Sequence, residues 1–299
     1  MLDLRVATIN VSGGMKTFDE VEHDSPEAQK EALGLLIKQL DATVLCLQEV
    51  TQHIDADGVT HSFTGEVNKA GGYDYSYFGK TVSMEEHMQV KQDVMVKGIF
   101  NDWWNWSKGN SIHARIPFSR LGDPGRPGVP RNIPLYQPQS YEGSRDTESR
   151  FALLSRLKTS PHPFVITLHL TTLVGEHNDK VRKNIIKKSH LLRHQQIQQL
   201  LDLVKAHILE KDEPLILTGD FNAPQDEFCI ARLLEEENSF VRLKPENNGR
   251  THPNVGKAID HVFFYPKERL VDYGCKIQDS DLSRRASDHL PVVADLQIK

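Results

Sequence analysis

The sequence predicts one domain of the α/β class, and three observations lead to this prediction. Short apolar segments typical of buried strands alternate with amphipathic segments typical of helices along the whole chain. No internal repeat, low-complexity linker or change of composition divides the 299 residues. The hydrophobic fraction of 38% is ample for one large core. We therefore expect a single domain over residues 1–299.

The first part of the chain contains one clear helix start among several apolar strands. Ser25, Pro26 and Glu27 have the residue types of an N-cap, a first helical position and an acidic first turn. Apolar residues then recur at helical spacing as far as Leu40. Strands are predicted at 4–9, 43–47, 73–79 and 109–115.

The region 84–149 departs from this regular pattern. Within it, the segment 122–138 contains three glycines and five prolines and is predicted to be a long irregular loop. Loops on a rigid scaffold often carry selectivity. We therefore expect 84–149 to be an insertion that determines substrate specificity.

The second part of the chain alternates strands and helices more regularly. A helix is predicted over 181–208, because its apolar residues form one stripe and Pro214 follows as a stop. Asp226 is predicted to cap a short helix that ends at Leu234. Strands are predicted at 151–157, 164–170, 215–218, 258–264 and 291–298.

Charge and composition exclude several classes of protein. A formal net charge of −5 and a pI near 6.3 argue against a broad nucleic-acid-binding surface, although local basic patches remain compatible with them. Three scattered cysteines argue against a disulfide framework or a zinc site. The chain enters a strand pattern at once, without a signal peptide, and no apolar run reaches the ~18–20 residues of a membrane span. We expect a cytoplasmic protein without a transmembrane segment, and the oligomeric state stays open.

Polar residues recur at the ends of the predicted strands. Each one alone has an ordinary structural explanation, such as a solvated glutamate, a turn aspartate or a core histidine. Their joint recurrence is harder to explain in that way. The set consists of Asn10, Glu49, His169, Asp220, Asn222, Asp260, Asp288 and His289.

Four carboxylates in this set would crowd negative charge into one crevice, and such charge requires a cation or the uptake of protons. Carboxylate and amide oxygens without a thiolate favour Mg²⁺ or Mn²⁺ over Zn²⁺. A hard divalent cation beside two histidines suits an anionic phosphate. The residues therefore predict a phosphate-and-metal site.

The order of these residues along the chain resembles that of a known family. Gly219-Asp220-Phe221-Asn222 and Ser287-Asp288-His289-Leu290-Pro291, together with the motifs around Asn10, Glu49, His169 and Asp260, resemble the endonuclease/exonuclease/phosphatase superfamily, which includes the DNase I-like nucleases. The resemblance implies a four-layer α/β sandwich, in which two packed mixed β-sheets are flanked by helices. It also implies a phosphorylated substrate, which is a small molecule, a lipid or a nucleic acid.

The resemblance implies metal ligands and phosphate contacts on this chain. Glu49 would be the principal Mg²⁺ (or Mn²⁺) ligand, with Asn10 beside it and Asp288 supporting the metal side. Arg150 is a further candidate for a phosphate contact. Some nucleases of the family carry a carboxylate two positions after the first asparagine, where this chain has Ser12.

The resemblance also implies catalytic residues. Asp220 would orient or deprotonate the attacking water, and Asn222 would help to hold the phosphate and that water. His169 would contact the phosphate. His289, oriented by Asp260, would stabilise the pentacovalent phosphorane or protonate the leaving oxygen. The choice of general base stays open at this point.

Four functions remain in view: a metal-dependent phosphoester hydrolase, a nuclease acting on single-stranded or short nucleic acid, a membrane-lipid phosphodiesterase, and a catalytically silent binding module on the same fold. The tryptophans in 103–106 could stack on bases or touch a membrane, but a loop packed by its own aromatic side chains is favoured. The basic segment 182–194 could receive a polyanion, but a solvated helix face is favoured. We expect the hydrolase.

Overall fold

Two β-sheets face one another in the computed structural model of the chain. The structure describes residues 1–14, 26–54, 57–83, 96, 104–138, 147–172, 183–247 and 249–299. Both sheets are mixed, because each combines one parallel strand pair with antiparallel pairs. The predicted pair of mixed sheets is thereby confirmed.

The first sheet has seven strands. These are β1 (Leu2–Asn10), β2 (Val44–Ile54), β3 (Thr60–Ser62), β4 (Tyr75–Ser83), β5 (Trp104–Ala114), β12 (Leu270–Ile277) and β13 (Val292–Ile298). They follow the order β12-β13-β1-β2-β5-β4, and β3 pairs with β2. The parallel pair β1–β2 lies at the centre, so the sheet brings the carboxyl ends of both strands to one edge.

The second sheet has six strands. These are β6 (Arg131–Tyr136), β7 (Arg150–Arg156), β8 (Phe164–His169), β9 (Leu215–Asp220), β10 (Val241–Arg242) and β11 (Asp260–Tyr265). They follow the order β10-β11-β9-β8-β7-β6. Here the parallel pair is β8–β9, in which His169 lies opposite Asp220.

Helices cover the outer faces of both sheets. The α-helices of the described residues are α1 (Pro26–Leu40), α2 (Phe63–Gly71), α3 (Lys183–Lys205), α4 (Phe228–Leu233) and α5 (Asp281–Ala286). Short 3₁₀ helices lie at Ser12–Gly14, Leu209–Lys211, Glu236–Asn238 and Lys267–Arg269. None of the helices in this described part of the chain is both long and apolar enough to cross a membrane.

Three apolar layers separate the sheets and helices, and strand alternation assigns residues to them. On β1, Val6 belongs to the core between the two sheets, whereas Ala7 belongs to the core under α1 and α2. A third core joins α3 and α4 to the second sheet, for example through Ile197 and Leu217. The chain therefore forms four layers, as the sequence resemblance implied.

Two local expectations are wrong. Residues 131–136 were predicted as part of an irregular loop but form β6, which is an edge strand. Pro134 is tolerated there because an edge strand has a neighbouring strand on one side only. Asp226 does not cap the helix before Leu234; Glu227 occupies the N-cap position instead.

The proposed insertion at 84–149 contributes regular structure to both sheets. Its residues 104–114 form β5, which lies between β2 and β4, and its residues 131–136 form β6. The segments 84–95, 97–103 and 139–146 lie outside the described residues. The assignment of specificity to this region stays a prediction.

Candidate active site

Three strands from the two sheets end around one buried polar cluster. Asn10 and His169 are the last residues of β1 and β8, and Asp220 is the last residue of β9. The sheets are joined just below the cluster by Gln48, whose amide nitrogen donates to Thr8 Oγ1 of the first sheet (3.1 Å) and Thr167 Oγ1 of the second (2.8 Å). This bridge ties the two sheet edges together, so the polar groups above it are held on a rigid base.

Asn10 connects the carboxylates of the two sheets. Its Nδ2 atom donates to Asp220 Oδ2 at 3.0 Å and lies 3.3 Å from Glu49 Oε1. The backbone N–H of Ser12 donates to Asn10 Oδ1 at 2.9 Å, which establishes the orientation of the amide. Asn10 therefore presents its N–H₂ group to both carboxylates.

Glu49 is aimed into the cluster by an irregularity in β2. The sequence predicted that this strand ends at Leu47, but it continues to Ile54. Its register against β5 shifts between Leu47 and Val50. Glu49 has a φ of 57°, in the left-handed region that residues other than glycine rarely occupy. Bulges of this kind redirect a side chain beside functional sites.

A buried charge network that the sequence did not predict supports Glu49. Lys108 of β5 lies 3.7 Å from Glu49 Oε2 and 3.2 Å from Glu148 Oε1, and Arg150 Nη2 donates to Glu148 Oε2 at 3.3 Å. Burial favours the neutral form of Glu49, but Lys108, His169 and Asn10 outweigh it and hold the pKa of this carboxyl well below its ordinary value. Glu49 is therefore ionised at neutral pH.

Asp220 is held by the backbone around it. Gly219 has a φ of 136°, and a Cβ atom there would lie 2.1 Å from the carbonyl oxygen of Leu168 in β8. The glycine thus permits the close approach of β8 and β9 just before the carboxylate. The backbone N–H of Asn222 then donates to Asp220 Oδ1 at 2.8 Å, and Asn222 Nδ2 donates to the Leu170 carbonyl at 3.2 Å.

Asp220, Asp260 and His289 form a compact triad in which one ligand atom from each lies within 4.8 Å of the other two. His289 Nδ1 is 2.9 Å from Asp260 Oδ2, and His289 Nε2 is 3.9 Å from Asp220 Oδ2. Burial and the nearby Asp260 charge raise the pKa of Asp220 far above its ordinary value. Burial would lower the pKa of His289, but Asp260 and Asp220 outweigh it and raise that pKa, so the imidazole is protonated at neutral pH.

The loop that carries His289 is fastened at two points. Ser287 Oγ donates to the Asn10 carbonyl at 2.7 Å and accepts from the N–H of His289 at 3.2 Å. Thr251 accepts from the N–H of Asp260 at 3.0 Å through Oγ1 and from the N–H of Leu290 at 2.7 Å through its carbonyl. Thr251 thereby holds both Asp260 and the residue that follows His289.

His169 is the neutral imidazole of the site. Its Nε2 atom lies 3.5 Å from Asp220 Oδ2 and 3.9 Å from Glu49 Oε1. Burial, followed by the charge of Arg150, lowers the pKa of His169 to about 3. The two histidines thus differ in charge, which gives them different uses toward a phosphate.

Asp288 has a buried carboxylate oxygen, Oδ1, without a hydrogen-bond partner among the described residues. Oδ1 of Asp260 is also buried and has no hydrogen-bond partner within the described part of the chain. A buried unpaired carboxylate oxygen is costly, and a cation or a protonated ligand would satisfy it. Glu49, Asp260 and Asp288 therefore offer the oxygen atoms that a hard cation prefers.

The structure brings most of the predicted residues together. Contacts or opposite strand positions join seven of them, namely Asn10, Glu49, His169, Asp220, Asn222, Asp260 and His289. Arg150 joins them through Glu148, and it also donates to Thr172 Oγ1 at 3.3 Å. Asp288 acts on the cluster electrostatically, through its charge on His289.

The remaining predicted features are resolved in part. Trp103 and the side chain of Trp104 lie outside the described residues, and Trp106 is half-buried. Of the basic segment 182–194, Arg193 is fully buried and binds Glu227 through two hydrogen bonds of 2.7 and 2.8 Å. Arg193 is therefore a structural anchor and not part of an open basic face.

Comparison with family models gave a match that spans most of the chain. A model of the Endonuclease/Exonuclease/phosphatase family matches residues 7–289, from the first strand through His289. A search of curated proteins found no match.

Solved structures share the fold. An endonuclease/exonuclease/phosphatase from Beutenbergia cavernae DSM 12333 is 20% identical, with a TM-score of 0.68 over 99% of this chain and 72% of that one. TDP2 from C. elegans is 14% identical, with a TM-score of 0.59 over 98% of this chain and 75% of that one. The human Nocturnin catalytic domain, solved with a bound sulfate anion, is 16% identical, with a TM-score of 0.61 over 99% and 94% of the two chains.

Proposed function

Because this chain belongs to the endonuclease/exonuclease/phosphatase family, whose members are typically phosphoester hydrolases, we propose that it hydrolyses a phosphate mono- or diester with Mg²⁺ or Mn²⁺. One observation carries the proposal above all. A buried triad of Asp220, Asp260 and His289 lies beside the ionised Glu49. The site therefore combines a potential base, a protonated acid and a carboxylate that can bind a cation. Metal-assisted hydrolysis of a phosphate ester can use all three.

The proposed cation ligand is Glu49, with Asn10 beside it and Asp288 supporting the same side. The donor set fits a hard divalent cation, since it consists of carboxylate and amide oxygens and includes a buried Asp288 oxygen without a protein partner among the described residues. When bound, the cation would polarise a phosphoryl oxygen and offset the charge of the phosphate.

Asp220 is the proposed general base. A carboxylate with its ordinary pKa is a weak base at neutral pH, and burial next to Asp260 makes Asp220 more basic. Asn10 and the N–H of Asn222 each bind one of its carboxylate oxygens and hold it in a single orientation. Asp220 can therefore take a proton from a water molecule placed beside it.

His289 is the proposed acid. Asp260 binds Nδ1 and stabilises the charged imidazole, which leaves Nε2–H as the donor toward the side of Asp220. A proton on Nε2 could stabilise the negative charge that develops on the phosphorane or pass to the leaving oxygen. The base and the acid are thus set apart by their surroundings, although they lie in one cluster.

Neutral and amide groups complete the proposed phosphate contacts. His169 carries no charge at neutral pH, so its ring N–H can donate to a phosphate oxygen without repelling the cation. Asn222 lies two residues after Asp220 and has a φ of 49°, in the left-handed region that asparagine adopts more readily than most residues. Arg150 is buried behind Glu148, so we assign it mainly to support of the Lys108–Glu148 network.

The test is a panel of phosphate substrates, from nucleotides to phospholipids, with Mg²⁺ or Mn²⁺. Wild-type protein should hydrolyse at least one of them, and Asp220→Asn should lose about 10²-fold or more of kcat, the usual worth of a general base. Asp3→Asn, which changes an exposed carboxylate on β1, is the control. The proposal fails if no substrate is hydrolysed, or if Asp220→Asn retains full activity.

A silent binding module on the same fold remains the alternative from another class. Such a module would be expected to lack one or more of Glu49, His169, Asp220 and His289, and the chain retains all four. Calorimetry separates the two readings, because a silent module need not bind Mg²⁺ or Mn²⁺. We also infer a reducing, cytoplasmic setting from Cys46, Cys229 and Cys275, which are buried and unpaired.

A further inference from the structure

A groove of about 600 Å³ lies beside the triad, between the loop after Asn222 and the loop before Asp260. Its lining includes Pro224 and Gln225 on one side and Arg250 and Lys257 on the other. Its volume is within the range of small-molecule sites, roughly 300–1,000 Å³. The groove is therefore large enough to hold part of a substrate.

The groove is strongly basic. Arg242, Lys244, Arg250 and Lys257 line it, against the single carboxylate of Asp226. None of the four cations forms an ion pair with a carboxylate among the described residues. On a chain with a net charge of −5, such a local excess of unpaired positive charge points to an anionic ligand.

One of the cations is held by neutral partners, and a second lies close to the backbone of the groove. The half-buried Arg242 donates to Gln225 Oε1 at 2.8 Å and to His261 Nδ1 at 3.2 Å. The Arg250 guanidinium lies over Gly256, with Nη1 3.8 Å from the position that a Cβ atom would occupy there. The Arg242 charge is thus positioned without being neutralised, which lowers the ordering cost of binding an anion.

The groove adjoins the reacting groups through the chain itself. Pro224 and Ala258 line it, and each is two residues from a member of the site, Asn222 or Asp260. Consecutive Cα atoms are 3.8 Å apart, so these linings begin within about 8 Å of the site. Thr251, which binds the N–H of Asp260, directly follows Arg250.

We propose that this groove is a second phosphate subsite, which binds a phosphate of the substrate other than the one that is hydrolysed. The proposal rests on the proposed function above and narrows it to substrates with more than one phosphate. Such a phosphate is either the neighbouring phosphate of a short single-stranded nucleic acid or a terminal phosphate of a nucleoside polyphosphate. Both sources present the same anionic, non-bridging phosphate oxygens to Arg250 and Lys257.

The direct test is binding without hydrolysis. Fluorescein-labelled oligothymidylate of eight nucleotides is titrated in EDTA into wild-type protein and into Arg250→Gln/Lys257→Gln, and unlabelled nucleoside triphosphate is titrated as competitor. We expect the double variant to bind one or both ligands at least tenfold more weakly. For the oligonucleotide, the slope of log K against log salt should also fall by about 1.4, since each lost phosphate contact contributes roughly 0.7 on a single strand.

The control variant is Lys205→Gln/Lys211→Gln, which removes the same charge from exposed positions away from the groove. If both double variants bind both ligands equally well, the subsite does not exist. Binding in EDTA is readable even if the protein hydrolyses nothing, so failure of the proposed function and failure of the subsite are distinguishable.

Hydrolysis supplies a second readout. In the groove variant, kcat/KM should fall tenfold or more for a substrate with a second phosphate and stay unchanged for bis(4-nitrophenyl) phosphate, which has one. An equal loss for both substrates would overturn the proposal. If the double variant does not fold, as judged by circular dichroism, the exposed single variant Lys244→Gln replaces it, with an expected loss of about threefold.

Discussion

Asp260 lies directly opposite Asp220 in the antiparallel pair of β9 and β11, and both carboxylates are buried. Side chains at opposite positions lie on the same face of a sheet with Cβ atoms about 4.5–5.5 Å apart, where like charges are unfavourable. His289 stabilises the arrangement, because its imidazolium binds Asp260 and lies 3.9 Å from Asp220. The pair therefore produces both a more basic aspartate and a charged histidine.

Asp260→Asn tests this relationship. Without the carboxylate, His289 loses the partner that keeps it protonated, so we expect kcat to fall by about 10²-fold or more, the scale of general acid catalysis. KM should change by much less, since we assign Asp260 to orienting His289 and not to binding the substrate. Steady-state kinetics against Asp3→Asn provide the measurement, and a variant with unchanged kcat would show that Asp260 has only a structural role.

Glu49→Gln should weaken binding of Mg²⁺ and Mn²⁺. The change removes the carboxylate that Lys108 and Asn10 keep ionised and oriented. We expect the affinity for the cation to fall at least about tenfold. Loss of a residue that only hydrogen-bonds to a metal ligand already has an effect of that size. Isothermal calorimetry measures it, with the exposed Glu31→Gln as the matched control. Equal affinity of the two variants would place the cation elsewhere.

The sequence predicted the residues at strand ends better than those that depend on long-range contacts. Asn10, His169 and Asp220 were recognisable because an apolar run ends at each of them, and parallel strands bring such ends to one edge. Glu49 was recognised, but the bulge in β2 that carries it was not. A bulge does not produce a periodic pattern of hydrophobic residues in the sequence.

Lys108 and Glu148 were missed for a physical reason. They are separated by forty positions, and their pairing exists only once β5 lies beside the segment that leads into β7. Lys108 directly precedes the predicted strand at 109–115, and Glu148 lies two residues before Arg150; this proximity was the available signal. Among the helices, α2 and α5 were missed because they are short and contain few apolar residues.

Arg193→Met should be strongly destabilising. Arg193 is fully buried and binds both carboxylate oxygens of the buried Glu227. It also donates to the Thr171 carbonyl at 3.2 Å. Its removal leaves an uncompensated buried carboxylate, at a cost of about 3–5 kcal/mol. Urea unfolding at pH 7 gives the free energy of unfolding.

The double variant Arg193→Met/Glu227→Gln should recover part of this loss, because no buried charge remains unpaired. Arg284→Met, in an exposed pair with Asp279, is the control and should cost less than about 1 kcal/mol. If the double variant is no more stable than Arg193→Met, the loss comes from packing and not from the charge.

Gly219→Ala should damage both stability and activity. The new Cβ would meet the Leu168 carbonyl at 2.1 Å, so β8 and β9 would have to separate next to Asp220. We expect a loss of at least about 1–3 kcal/mol, the scale of a strained backbone position, and a lower kcat. Gly65→Ala on α2, where a Cβ would meet nothing within 4 Å, should instead be neutral or stabilising. A stable, fully active Gly219→Ala protein would contradict this account.

His113 makes the stability of the protein depend on pH in a predictable direction. The imidazole is buried in β5, with Nδ1 2.7 Å from Asn68 Oδ1 and Nε2 2.8 Å from Ser111 Oγ. Burial lowers its pKa to about 3, against an ordinary value of about 6.5 in the unfolded chain. Below pH 6.5 the unfolded state therefore binds the proton first.

The wild-type protein should consequently lose stability through His113 as the pH falls from about 6.5 toward 3, by about 1.4 kcal/mol per pH unit. His113→Asn keeps a donor for Asn68 but cannot titrate, so its deficit relative to wild type should be largest at pH 7 and shrink by about 2 kcal/mol at pH 5. Urea unfolding at pH 7, 6 and 5 measures this difference, in which all other titrating groups cancel. The exposed His207→Asn is the control variant. A deficit for His113→Asn that is constant with pH would mean that the buried imidazole is not held in its neutral form.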